Sequence, residues 1–375
     1  MPGLGRTVRL GLEWTSIRGR GHGSALQFET GPCQRSNFPG GPVRRALSLT
    51  LIGLGVFCIA GGLLLRFYAY PALAKIPQDP NTVSVAQGSG VTALVYVPQG
   101  SSARPEIRQN LNLTSKTYVT GDLRAPESKK NGDVVTWIEA SEVKDDASNL
   151  TVNGSVRALC LDRFTGEAVA PCTNGYLEKE KGVKITNEGS PKTPQFPGYN
   201  FKLPFNTEKG TYKWYDSTLG APVDARFDGE EQINGVDVYR FRQSVPVSKV
   251  SSRDVPGSLI GKPETPTVNA GLYYEVDRTL WIEPVTGAMI KLRQWSKQEL
   301  RTSEQGPGQG TTVFDGTMEL NADSVAKNVN TAKENSSKLW LLTGLPVILW
   351  IVGGVALLIG ILLLATGRRR SRHSF

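Results

Sequence analysis

Residues 231–241 read EQINGVDVYRF, two short alternating runs on either side of Asn234-Gly235. Both turn residues accept the positive φ of a type I′ turn, so the stretch predicts a two-residue β-hairpin. A period of two then puts Tyr239 and Phe241 on one face and Arg240 and Arg242 on the other. Similar runs lie on both sides. Residues 132–140 (GDVVTWIEA) and 151–161 (TVNGSVRALCL) are β-branched and aromatic and are bounded by turn residues. Residues 272–282 and 288–295 make another pair around Glu283-Pro284-Val285-Thr286-Gly287. The best helical segment here is 321–338, where Asp323 or Ser324 is placed to cap a helix with Val325, Val329 and Ala332 at helical spacing. The expected domain is therefore mainly β with a minor α component. At roughly 270 residues, one large domain or two packed ones are both open. Linkers are expected at 99–105, 187–197, 255–266 and 303–310, all dense in Pro, Gly and Ser.

Two apolar runs frame this domain. Residues 46–65 (ALSLTLIGLGVFCIAGGLLL) carry no charge and span roughly 30 Å as a helix. Residues 339–365 are also uncharged, with Trp340 and Trp350 available as interfacial anchors. Both are expected to be transmembrane helices. The first is read as an uncleaved anchor, because the following RFYAYP (66–71) offers no small-residue cleavage site. The chain has a net charge of +9, yet residues 67–337 sum to −2, so the excess of Arg lies in the flanks. The positive-inside rule then predicts a two-pass plasma-membrane protein with both termini cytoplasmic and the large domain extracytoplasmic. The expected segments are a basic tail (1–45), a first helix (46–65), the β-rich domain (66–338), a second helix (339–366) and a second basic tail (367–375). Residues 1–42 show no periodicity and read either as a disordered tail or as sequence ahead of a true start near Val43.

Composition excludes much chemistry. The two histidines, His22 and His373, sit in the tails, so no imidazole is available to the middle of the chain. No nucleotide-binding or hydrolase motif stands in a supporting context. Asp145-Asp146 and Glu230-Glu231 read as solvated turn charges. No enzyme activity, cofactor or metal is expected. Nucleic acid is not an expected partner, because no basic patch is interleaved with aromatics. Cys160 and Cys172 flank the Thr165-Gly166 turn, where a symmetric hairpin sets them opposite each other. They are expected to form a disulfide, worth about 2–3 kcal/mol. The stretch 201–216 (FKLPFNTEKGTYKWYD) gathers Phe201, Phe205, Tyr212, Trp214 and Tyr215. These aromatics either line a groove for an acyl chain or sugar ring, or fill the core; they are the leading ligand-site candidate.

The segments RFYAYP (66–71), LAKIP (73–77), LPFNTEK (203–209), WYD (214–216), YRFR (239–242) and RTLWIEP (278–284) with Thr286-Gly287 carry a resemblance. They are similar to a family of actinobacterial two-anchor envelope proteins of unknown function that bears a PorA-type porin label, over about residues 44–368. Its mycobacterial members, called polar growth factor A, are linked to trehalose monomycolate handling beside an RND-type exporter. The resemblance thus implies a protein that binds or transfers a lipid or lipoglycan during envelope assembly. The bilayer, a lipid or glycolipid ligand and an envelope lipid transporter would be its partners. The alternative is a non-catalytic scaffold or accessory subunit of such a transporter or synthase. The porin label is expected to fit poorly, since the strands lack the lipid-facing alternation of a membrane β-barrel.

Overall fold

The computed structural model describes residues 40–100, 102–130, 132–180, 182–186 and 194–370. Residues 1–39 and 371–375 lie outside that set, and with them Cys33 and the readings of both tails. Helix α1 (Gly40–Leu64) runs through a π-helical turn (Leu65–Ala69) into α2 (Tyr70–Leu73). The first group of strands is β1 (Thr82–Gln99), β2 (Ser102–Gly121), β3 (Val134–Asp145), β4 (Thr151–Asp162), β5 (Tyr176–Glu180) and β6 (Val183–Ile185), with the short helix α3 (Pro126–Lys130) between β2 and β3. The second group is β7 (Thr211–Asp216), β8 (Ala221–Ile233), β9 (Val236–Pro256), β10 (Thr267–Ile282), β11 (Met289–Arg301) and β12 (Thr311–Leu320). Helix α4 (Ala322–Arg370) closes the chain.

One 12-stranded antiparallel sheet holds every strand, in the order β6-β5-β4-β3-β2-β1-β12-β11-β10-β9-β8-β7. Two meanders thus share a centre at β1–β12 and run outward to free edges. Residues 196–203 span the gap between them. Tyr199 bridges to Glu167 beside β4 and to Trp214 on β7, and Ala168 N–H donates to Gly198 O at 3.0 Å. This crossing strap draws the two ends of the sheet toward each other. Curvature also comes from β1, where the register against β2 shifts on both sides of Val91. Gly90 supplies a φ of +69° there, which a glycine adopts without strain.

The Asn234-Gly235 turn forms as expected, with φ of 48° and 74° and Ile233 opposite Val236. Phe241 is fully buried in a cluster with Leu203, Trp214, Ala225, Leu280 and Ile282, while Arg242 on the other face is exposed. The expected linker at 99–105 is instead the β1–β2 hairpin, with Gln99 opposite Ser102 and Pro105 opposite Tyr96. Proline is tolerated because β2 pairs with β3 only from Leu113 onward, which leaves the Pro105 end with one neighbour.

Val325, Val329 and Ala332 of α4 are buried against Val236, Val238, Trp281 and Ile290. The cap differs from expectation. The Asn321 side chain accepts the Ser324 N–H at 2.9 Å, while the Ser324 hydroxyl accepts the Val85 N–H and ties the helix to β1.

Helices α1 and α4 are both long and apolar enough to cross a membrane. They pack antiparallel along two stripes spaced by seven residues. A Cβ on Gly55 would lie 2.8 Å from Gly353 O, one on Gly62 3.2 Å from Pro346 O, and one on Gly360 3.0 Å from Ser48 O. Small residues at these crossings let the two backbones approach closely.

Candidate functional site

Alternation along the strands sends one side chain in two to the concave face of the sheet. On β11 the inward set is Leu292, Gln294, Ser296, Gln298 and Leu300. Around these and their counterparts on the other long strands lies a cavity of about 2670 Å³. Lining positions on β11 run from Met289 to Leu300, roughly 36 Å of strand at about 3.3 Å per residue. One end meets the base of the helices at Ile76, Lys338, Leu339 and Leu342. The other is ringed by Leu94, Val250, Leu259, Leu272 and Val313. Between them lie hydroxyls and amides, among them Ser115, Thr117 and Ser141 beside the inward residues of β11.

Two ion pairs are built into the wall. Arg157 grips Glu139 through two bonds of 2.8 and 3.1 Å and donates to Asn200 Oδ1 at 2.8 Å. Its guanidinium faces the rings of Phe196, Phe201 and Tyr215, with centroids 5.5, 5.4 and 6.0 Å away. Arg278 meets Asp216 at 2.8 Å and also donates to Gln294 and Gln243. Asp216 has no exposure and further accepts the Tyr274 hydroxyl and the Thr218 and Leu219 N–H groups, so its charge is fully solvated by protein. Burial, reinforced by the Asp216 charge, pushes the Tyr274 phenol well above its ordinary pKa.

Lys202 stands apart. Its Nζ is buried with no hydrogen-bond partner and lies 3.7 Å from the Phe205 ring centroid. Burial pulls its pKa down to about 7, against a smaller opposing effect of Glu283. Among the described residues no cluster of three or more His, Cys, Asp or Glu is placed to hold a metal.

The structure divides the aromatic candidates. Phe201, Phe205, Trp214 and Tyr215 touch the cavity. Tyr212 does not; it packs edge-on against Tyr199 and Phe241 and its hydroxyl accepts the Glu208 N–H, so it fills core. Trp214 and Tyr215 show only 6% and 8% exposure, which makes them wall more than free contact surface. Cys160 and Cys172 are bonded, with Cα atoms 5.5 Å apart, and Gly166 makes the intervening turn with φ +80°. Cys58 is a buried free thiol in α1.

Arg157, Glu139, Asp216, Arg278 and Lys202 were not anticipated. Glu139 and Arg157 had a signal, since they lie equidistant from the β3–β4 turn and face each other in register. The segments that carried the family resemblance interlock: Leu203, Asn206 and Thr207 N–H groups donate to the carbonyls of Gly287, Val285 and Pro284. A Cβ at Gly287 would fall 1.9 Å from Leu203 O, so this docking requires glycine.

A curved antiparallel sheet around a long interior space, with apolar helices at one end, defines a β protein with a hollow core. The chain belongs to the PorA porin family: the family's sequence model, described as Porin PorA, matches residues 47–362. It is 23% identical over 421 residues to Porin PorA of Corynebacterium resistens, covering 88% of this chain and 99% of that one. It is likewise 23% identical over 383 residues to Porin PorA of Corynebacterium amycolatum, covering 85% and 98%.

These relatives overturn several expectations. The lipid- or lipoglycan-handling role, the accessory-subunit alternative, and the lipid ligand and lipid-transporter partners are set aside, because the relatives are named porins. Those expectations rested on resemblance without a ligand motif, and the aromatics enlisted for a lipid groove serve largely as wall and core. The plasma-membrane location with cytoplasmic termini is set aside on the same finding. It drew on charge in tails that lie mostly outside the described residues.

Proposed function

We propose that this chain forms a passage for small solutes, with the hollow of its curved sheet as the conduit and the α1–α4 pair set in a bilayer. The cavity carries the reading. At about 2670 Å³ it is more than twice the upper size of an ordinary small-molecule pocket, roughly 1,000 Å³. The hydroxyls and amides among its lining suit hydrated solutes, and the name Porin PorA borne by both relatives supports the same function.

The distribution of apolar surface supports setting the helices in the bilayer. Phe57, Leu64, Ile351, Leu358 and Leu362 are exposed on α1 and α4, whereas the convex face of the sheet presents Arg104, Glu142, Arg226, Arg242 and Arg293. A barrel crossing lipid by its strands would show an apolar band on that face. Two helices packed on each other enclose no aqueous path, so copies of the chain must share one across the bilayer.

Planar bilayers containing the full chain should show stepwise conductance. The steps should shrink when Ser141→Trp and Gln294→Trp together narrow the middle of the cavity. Insertion without conductance overturns the proposal.

A further inference from the structure

The interior differs in charge from the domain that encloses it. Residues 67–337 sum to −2. Yet among the described residues the cavity wall carries seven basic side chains against two acidic ones, Glu139 and Asp254. Part of this charge is neutralised in place, since Lys75, Arg157, Arg278 and Lys338 each hold a carboxylate partner within 2.8 Å. What remains is Lys179, Lys202 and Arg253, none of them in an ion pair among the described residues, against Asp254, which accepts a hydrogen bond from Asn269.

Lys179 on β5 and Arg253 on β9 come from opposite halves of the sheet and are exposed, both lining the same cavity. Partial burial first and the Arg253 charge second hold the Lys179 ammonium below its ordinary pKa, against an opposing effect of Asp216. Two like charges facing one space lower the potential energy of any anion that enters. Protein walls focus that field inward, and the screening length at physiological salt, about 8 Å, sets how far each charge reaches along the passage.

We infer that the passage selects small anionic solutes, phosphates and carboxylates among them, through the unpaired cations Lys179 and Arg253 on its wall. This rests on the passage reading above. It names the class of solute.

The test uses the full chain in detergent, with Cys33 and Cys58 replaced by Ser and the Cys160–Cys172 bond kept. A single thiol is placed inside (Ser141→Cys) or on the exposed convex face (Ser244→Cys). Each is reacted with sulfonatoethyl methanethiosulfonate, an anion, and with trimethylammonioethyl methanethiosulfonate, a cation. The anion-to-cation rate ratio at position 141 should exceed that at 244 by about tenfold. Lys179→Gln with Arg253→Gln, both at exposed positions, should bring it back toward the convex-face value.

A ratio at 141 no higher than at 244, a ratio unmoved by the double variant, or no labelling at 141 by either reagent would each overturn the inference. Bilayer conductance is read separately. A chain whose interior favours the anionic reagent but never conducts keeps the anion preference and loses the passage function; one that conducts with cation selectivity does the reverse.

Discussion

Arg278 spends one guanidinium on three side chains, Asp216, Gln243 and Gln294, which belong to β7, β9 and β11. Replacing it with Met leaves the Asp216 carboxylate buried without its cation, and the expected loss is about 3–5 kcal/mol. Urea unfolding of the full chain in detergent, followed by tryptophan fluorescence, measures it. Arg278→Met with Asp216→Asn should lose much less than the two single changes added, because the pair acts as a unit. Lys202 works in the opposite sense. Its folded pKa of about 7 lies below the ordinary lysine value of 10.5, so the unfolded chain binds the extra proton between those limits. Stability must therefore rise as pH climbs from about 7 toward 10.5. Lys202→Met should stabilise the protein at pH 7 by about 1–3 kcal/mol and flatten that rise, as read by unfolding curves at pH 7 and 10. Of these wall residues, the Glu139–Arg157 pair was legible from hairpin symmetry. Asp216 and Arg278 are 62 residues apart, and no local pattern joins them.

The helix pair shows what an element adds. Ser48, Gly55 and Gly62 on α1 meet Gly360, Gly353 and Pro346 on α4, and the seven-residue spacing keeps both stripes on facing sides. Gly55→Leu drives a side chain into Gly353 O and Leu357, so the helices must separate locally. With Cys58 replaced by Ser, a cysteine pair at Ser48 and Gly360 should cross-link in the parent and fail to do so once Gly55→Leu is added. Unchanged cross-linking would mean that the glycine stripe does not hold the pair. The stripe was readable in both apolar runs, although hydropathy alone conceals it. Hairpins were the most legible elements, since Asn234-Gly235 and Gly287 demand their turns locally. The 99–105 stretch misled because proline and serine signal a loop only when both sides of a strand are paired. Here one side of β2 is free.

At the scale of the molecule, the −2 of residues 67–337 conceals a segregation of charge that the sheet alone creates. Alternation decides which residues share a face, and curvature decides that one face is enclosed. That curvature brings the free charges of β5 and β9 into the same space. The conductance and thiol-labelling outcomes above belong to this scale, because each depends on a hollow that no single element contains.

The chain's own pattern determined the β class, the hairpins, the two apolar helices and the Cys160–Cys172 bond, because each follows from neighbours within about a dozen residues. Tertiary structure decided that the strands form one sheet instead of two domains. It also decided that Tyr212 is core while Trp214 is wall, and that cations gather inside. Those outcomes depend on register between distant strands and on the strap at Tyr199, where packing across the curved sheet sets the minimum of free energy.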